Sequence, residues 1–143
     1  YRPLYVTLAG GFIAMFFTPF FGGSLSDALA AFPIGMLTQF LVQKCEQAQI
    51  NFIVRIIMTS VLLTAAALLL HQFGLIRNTD SVIIGSLMLL VPGLAITNAV
   101  RDSIGGDLLA GIIRAIEACL IAIAIALGAG VTMSIWLSMS TGA

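Results

Sequence analysis

Residues 85–118 contain the helix breakers, amides and charges of both signs that most of this chain lacks. Pro92-Gly93 interrupts an apolar run over 82–100, which at about 1.5 Å per residue is long enough to cross a hydrocarbon layer of roughly 30 Å. Proline lacks a backbone N–H and leaves the carbonyl four residues earlier without its helical partner. In membranes such groups are satisfied by protein, water or a ligand. The break therefore predicts a transport site, with an ordinary proline kink as the alternative.

Polar side chains follow this break within one to three helical turns. Asn98 needs partners because an amide inside an apolar span is costly to leave unpaired. Arg101 offers a cation for a substrate carboxylate, with a solvated helix end as the alternative. The residues predicted to bind substrate are Pro92, Gly93, Thr97, Asn98, Arg101 and Arg114.

Four carboxylates are predicted to carry a coupling proton, since a partly buried carboxylate inside a membrane can hold one. They are Asp27, Asp102, Asp107 and Glu117. Asp27 follows Ser24 at capping-box spacing, so a capping role is its alternative. Glu117 lies near the membrane midplane if the last helix enters the membrane at Asp107. If residues 118–138 span alone, Glu117 forms an interfacial pair with Arg114.

Composition places the chain among integral membrane proteins. Of its 143 residues 60% are hydrophobic and 8% are charged, and its mean hydropathy is +1.14. The formal net charge of zero argues against a nucleic-acid partner. No Ser-His-Asp, Cys-His or HExxH arrangement can be assembled, so we expect no enzyme, no metal site and no cofactor. Cys45 and Cys119 are predicted to be unpaired thiols.

The predicted fold is all-α, a polytopic membrane domain over 1–143 with about five transmembrane helices. Their predicted ranges are 4–21, 24–43, 50–70, 82–100 and 107–138, with the fourth helix broken at Pro92-Gly93. A small-residue face is expected on the last helix for close packing, formed by Ala122, Ala124, Ala126, Gly128 and Gly130. The positive-inside rule predicts a cytoplasmic N-terminus, with Arg77 alone outside and the other cations inside: Arg2, Lys44, Arg55, Arg101 and Arg114.

The residues after the break resemble the threonine/serine exporter family. The resemblance rests on the following landmarks: Val91-Pro92-Gly93, Thr97-Asn98, Arg101-Asp102, Gly106-Asp107, Gly111 and Arg114, then a helix of small residues. It covers 85–130, and the stretch FFGGSLSDALAAFPIG at 20–35 is similar to the family's first hairpin more loosely.

This resemblance implies a secondary transporter in the inner or plasma membrane that exports small hydrophilic amino acids, driven by the proton gradient. It also implies a homo-oligomer or a second five-helix subunit, so a chain that opens on Tyr1 is expected to be a fragment or one half of a larger transporter. One two-subunit branch of the family is associated with dicarboxylate export. A succinate exporter subunit and a non-transporting structural subunit are therefore the alternatives. The mixed charges after the break favour an amino acid.

Overall fold

The computed structural model describes residues 3–91 and 93–141, and the regular structure in those ranges is entirely α-helical. The helices are α1 (Pro3–Phe20), α2 (Leu25–Gln47), α3 (Phe52–Gln72), α4 (Thr79–Leu87), α5 (Gly93–Ile104) and α6 (Leu108–Thr141). The predicted all-α, multi-pass membrane architecture is confirmed.

Four of these helices, α1, α2, α3 and α6, are long and apolar enough to cross a membrane. The predicted fourth span is instead divided between α4, with 9 residues, and α5, with 12 residues. At 1.5 Å per residue these reach only about 14 and 18 Å, well short of the hydrocarbon thickness. The predicted count of five spans is therefore not confirmed.

Helix α2 begins with the capping box expected from the sequence. Ser24 Oγ accepts the Asp27 N–H at 3.3 Å, and Asp27 Oδ2 accepts the Ser24 N–H at 3.0 Å. These two bonds satisfy backbone donors that a helix start leaves without partners. The positive φ of Gly22 (94°) lets the chain turn sharply between α1 and this cap.

Helices α1 to α4 enclose the main apolar core. Its buried residues are small or β-branched aliphatic side chains with one leucine, namely Ala14, Ala31, Ile34, Leu63, Ala67, Ile76, Val82 and Ile83. Small residues let the helix backbones approach closely: a Cβ added to Gly35 would lie 3.0 Å from the Cα of Gly11. Close backbone approach is how membrane helices gain packing energy where lipid is as apolar as their side chains.

Helix α6 packs along α3 in a parallel direction. Ile121 and Ala124 pack on Ile56, and a Cβ on Gly128 would lie 2.8 Å from the carbonyl oxygen of Ile57. Residues 108–118 therefore extend beyond the start of α3, by roughly 16 Å at the helical rise per residue.

The small-residue face of α6 differs in part from the prediction. Ala124 and Gly128 are buried, as expected, whereas Ala122, Ala126 and Gly130 are exposed. No atom lies within 4 Å of a Cβ built on Gly130. Residues two apart on a helix point in directions about 200° apart, so this alternating set cannot form one face.

The bundle has two ends with different charges. The Arg55 end comprises the starts of α1 and α3, the end of α2 and the α5–α6 turn. The Arg77 end comprises the starts of α2 and α4 and the ends of α1, α3 and α6. At the Arg55 end, Gln43 links the end of α2 to the start of α1. Its Nε2 donates to the Pro3 carbonyl at 3.3 Å and to Thr7 Oγ1 at 3.2 Å.

Candidate functional site

The predicted interruption of the fourth span is confirmed. After Leu87 the chain forms tightened i→i+3 turns, in which Leu89 N–H donates to Ser86 O at 3.2 Å and Leu90 N–H donates to Leu87 O at 2.8 Å. Helix α5 then begins at Gly93. Pro92 itself lies outside the described residues. A residue that precedes proline is disfavoured in helical conformation, which accounts for the non-helical conformation of Val91.

Helix α4, the half before the break, is built into the core. It packs on α1, α2 and α3. A Cβ on Gly85 would lie 2.6 Å from Thr18 Oγ1 and 2.9 Å from the Thr18 backbone nitrogen. Ser81 Oγ donates to the Phe21 carbonyl at 2.9 Å. These contacts leave α4 little freedom to move relative to α1.

Helix α5, the half after the break, packs along the first part of α6. A Cβ on Gly111 of α6 would lie 3.0 Å from the Ala99 carbonyl oxygen and 3.1 Å from the Ser103 nitrogen. Beside this contact an open groove of about 570 Å³ is lined by apolar side chains and Cys119. The face of α5 toward α6 is therefore apolar.

The opposite face of α5 is polar. It carries Thr97, Asn98 and Arg101, of which Thr97 and Arg101 are exposed and Asn98 is half-buried. Arg101 is in neither of the ion pairs found within residues 3–91 and 93–141. Three of the residues predicted to bind substrate thus lie together on one surface.

Asp102 and Arg114 are brought together across the α5–α6 hairpin. Arg114 Nε donates to Asp102 Oδ2 at 3.1 Å, with both side chains partly exposed. The sequence offered Glu117 as the partner of Arg114, but no ion pair joins them in the described part of the chain. The pairing stabilises the hairpin, and the substrate and coupling roles of Asp102 and Arg114 stay predictions.

Asp107 and Glu117 are both exposed on α6. Asp107 Oδ1 accepts the Ala110 N–H at 3.1 Å and so caps the start of the helix. The part of α6 after Glu117 packs along α3. Glu117 therefore lies at about the height of Phe52, the first residue of α3. This arrangement favours the second alternative for α6, in which residues 118–138 span alone.

Asp27 lies at the Arg77 end, away from the other predicted coupling residues. Its buried carboxylate accepts the Ser24 N–H and also the Arg77 N–H at 2.7 Å and the Asn78 N–H at 3.3 Å. The capping alternative is confirmed, and Asp27 additionally ties the start of α2 to the segment that leads into α4. Its proton-coupling role stays a prediction.

A cavity of about 180 Å³ lies beside the break, between α2, α3 and the end of α4. Its polar lining residues are Gln39, Arg55 and Thr59, and Leu89 and Leu90 close it from the α4 side. The three polar residues are not among the predicted site residues. They precede the break by 30 or more positions, and the packing of the helices brings them beside it.

Two buried hydroxyls in the same part of the bundle, Thr64 Oγ1 and Ser86 Oγ, have no hydrogen-bond partner among the described residues. The other buried threonines of α1, α2 and α3 donate to the carbonyl four residues earlier, as Thr18 does to Ala14 at 2.7 Å. A buried polar group without a partner is uncommon and marks a position where water or a ligand would be stabilised. Ser86 stands at the end of α4, next to the break.

An interrupted span inside a bundle of apolar helices, with polar groups at the interruption, is the arrangement of a secondary transporter. Comparison with known proteins agrees. The chain belongs to the family described as "Putative threonine/serine exporter", whose model matches residues 1–136. This is a family of transporters rather than of enzymes.

The chain is also similar to a protein of Escherichia coli (strain K12) named "Probable succinate transporter subunit YjjP", with 33% identity over 101 residues. The match covers 70% of this chain and 38% of that relative, so less than half of the relative's length is matched. No solved structure matches this chain. Within the described ranges no group of three or more His, Cys, Asp and Glu side chains is placed to hold a metal ion.

Proposed function

We propose that this chain is the transmembrane unit of a secondary transporter that exports small hydrophilic amino acids, threonine and serine, in exchange for protons. The observation that carries the proposal is the division of one span into a core-packed α4 and a separate α5 with a polar outer face. Polar groups at membrane depth are costly unless they face protein or a water-filled path. A translocation path along α5 supplies that environment.

In this proposal the break at Pro92-Gly93 and the polar face of α5 form the substrate path. Thr97 and Asn98 contact the substrate, and Arg101 holds its carboxylate. Asp107 or Glu117 carries the coupling proton once the second unit that completes the path partly buries it.

A second five-helix unit, or a second copy of this chain, completes the path. Two observations support this part of the proposal: within residues 3–91 and 93–141, α6 is the helix with which α5 makes its extensive contacts, and the relative from Escherichia coli is named a transporter subunit. Transporter sites generally lie between two such repeats.

The unit is placed in the inner or plasma membrane with its N-terminus in the cytoplasm. The Arg55 end carries Lys44, Arg55, Arg101 and Arg114, whereas the opposite end carries Arg77. This asymmetry is the one that the positive-inside rule associates with a cytoplasmic Arg55 end.

Export of a dicarboxylate is the second candidate, because the relative's name refers to succinate. A dicarboxylate site needs an excess of positive charge. Arg114 already has Asp102 as its partner at 3.1 Å, which leaves Arg101 as the unpaired cation of the α5–α6 hairpin within the described residues. This single charge favours the amino acid.

The test is flux through liposomes that contain the complete purified assembly. We expect labelled threonine to move when a pH gradient is applied and labelled succinate to remain. Replacing Asn98 by Ala should abolish threonine flux without changing assembly on size exclusion, while Ser134→Ala on the exposed surface of α6 serves as the matched control. Succinate flux without threonine flux would support the dicarboxylate candidate, and unchanged flux in Asn98→Ala would refute the role of α5.

A further inference from the structure

The cavity beside the break combines a cation with the carbonyl end of a helix. Its polar wall consists of Gln39 from α2 and of Arg55 and Thr59 from α3, one helical turn apart. Its opposite wall is the chain just after α4, at Leu89 and Leu90. Three helices thus bring unlike polar groups to one recess of about 180 Å³.

Arg55 is held in this recess by contacts that leave its guanidinium able to bind an anion. Its side chain is only 16% exposed, and it stacks over the Phe52 ring with its Cζ atom 4.9 Å from the ring centroid. Its carboxylate partner, Glu46, lies 3.5 Å away and is mostly exposed. This distance is long for a charge-assisted hydrogen bond, so a bound anion can compete with Glu46 for the donors of the guanidinium.

The end of α4 supplies the opposite charge. The last carbonyls of a helix lack intrahelical donors, and the helix dipole is negative at this end. The tightened turns at Leu89 and Leu90 use the carbonyls of Ser86 and Leu87. Leu89 and Leu90 themselves line the recess, so the negative end of the α4 dipole lies beside it.

We propose that this recess is the loading position for the substrate and that it selects a zwitterionic α-amino acid. Arg55 holds the carboxylate, and the carbonyl end of α4 holds the ammonium group. Gln39 and Thr59 hydrogen-bond the remaining polar group, which in threonine and serine is a hydroxyl. The proposal rests on the proposed function and adds to it a binding position and three residues, while Arg101 holds the carboxylate at a separate stage of the path.

A dicarboxylate fits this recess poorly. One of its carboxylates would meet Arg55, but the other would meet the negative end of α4 with no second cation among the residues that line the cavity. Like charges held close together in a site of low dielectric are strongly unfavourable. The recess therefore favours a substrate whose second charged group, the one that meets the end of α4, is positive rather than negative.

The experiment compares threonine with threoninol, which keeps the ammonium and hydroxyl groups but has no carboxylate. The complete assembly is reconstituted in liposomes, and the KM for labelled threonine and the inhibition by threoninol are measured. Arg55→Gln should raise the KM for threonine about 10-fold or more, the size expected for a lost charge-assisted hydrogen bond. Inhibition by threoninol should stay the same, so the selectivity between the two compounds disappears.

Glu46→Gln is the matched control, because it removes the same ion pair from the other side and leaves Arg55 in the recess. We expect it to keep the wild-type selectivity. Arg55→Lys keeps the charge and serves where Arg55→Gln assembles poorly; its selectivity should fall severalfold, since lysine cannot make a bidentate contact.

The possible results separate this inference from the proposed function. If the wild-type assembly moves threonine but Arg55→Gln and Arg55→Lys both keep its selectivity over threoninol, the loading site is refuted and the transport proposal stands. If Glu46→Gln loses selectivity as Arg55→Gln does, Arg55 has a structural role only and the inference fails. Absence of threonine flux in the wild type refutes the proposed function itself.

Discussion

The two halves of the interrupted span are built on different principles. Helix α4 is in contact with three other helices, and its Gly85 allows the backbone of α1 to approach closely. Helix α5 packs along one helix and keeps polar residues on its other side. The first half is therefore a fixed part of the core, and the second half is attached to the rest through α6.

This difference shows where a substrate path can form without loss of the fold. Stability in proteins is distributed unevenly, and elements with few buried contacts open at lower free energy than the core. Helix α5 and the first part of α6 form such an element, joined to the core through the contact of α6 with α3. The break separates the part that preserves the fold from the part that we propose to serve transport.

The largest effect is expected from filling the close contact of α4. In Gly85→Val the new side chain would overlap Thr18, and because backbone atoms are involved the helices must separate. Overpacking of this kind costs about 1–3 kcal/mol. We expect a clearly lower Tm in detergent and loss of the assembled peak on size exclusion.

Gly130→Val is the matched control for this prediction, because the same change at Gly130 meets no atom within 4 Å. Both positions are helical, so the cost of a β-branched residue is similar at each. Equal loss of stability in the two variants would contradict the assignment of α4 to the fixed core.

A somewhat smaller effect is expected from Asp27→Ala, which removes the acceptor that joins α2 to the segment before α4. The N–H groups of Arg77 and Asn78 would lose their acceptor, and because both residues are exposed and water can replace it, the expected cost is about 1 kcal/mol. The Tm should fall, measured beside Asp80→Ala, whose carboxylate is on the exposed side of α4. If the Tm fell equally in both variants, the hydrogen bonds of Asp27 would not be what holds α4 against α2.

The smallest effect is expected in the α5–α6 hairpin. The Asp102–Arg114 pair is partly exposed, and such pairs contribute about 0.2–1 kcal/mol. A double-mutant cycle of Asp102→Asn and Arg114→Gln should give a coupling energy in that range, with faster hydrogen exchange in α5 and unchanged exchange in α4. If exchange in α4 rose equally, the two halves would form one cooperative unit and the comparison would fail.

The sequence allows prediction of the features that depend on neighbouring residues. The capping box at Ser24 and Asp27 and the break before Gly93 are local patterns, and the structure contains both. The gathering of polar residues on α5 also follows from helical spacing.

Features that depend on contacts between helices were not predictable. Arg114 pairs with Asp102 on another helix rather than with Glu117 one turn away, since spacing within a helix does not identify a partner outside it. Asp27 binds N–H groups 50 and 51 positions later, and the recess at Arg55 exists only because α2, α3 and α4 meet there. Helix α4 also ends at Leu87, earlier than Pro92 suggests, because the turns at Leu89 and Leu90 are already tightened.

The most direct test of the central claim is the reactivity of single cysteines placed on the two halves of the interrupted span. Cys45 and Cys119 are free thiols and are first replaced by alanine and serine. Thr97→Cys then reports on the polar face of α5, and Ile84→Cys reports on the exposed, apolar side of α4. A water-soluble methanethiosulfonate reagent is applied to the reconstituted assembly with and without threonine.

We predict rapid modification of Thr97→Cys that threonine slows, and no modification of Ile84→Cys, because Thr97 is on the polar face proposed to border the substrate path and Ile84 is on an apolar side of α4. Two results would contradict the proposed substrate path along α5. One is a lack of reaction at Thr97→Cys, and the other is a reaction that threonine leaves unchanged in an assembly that still transports it.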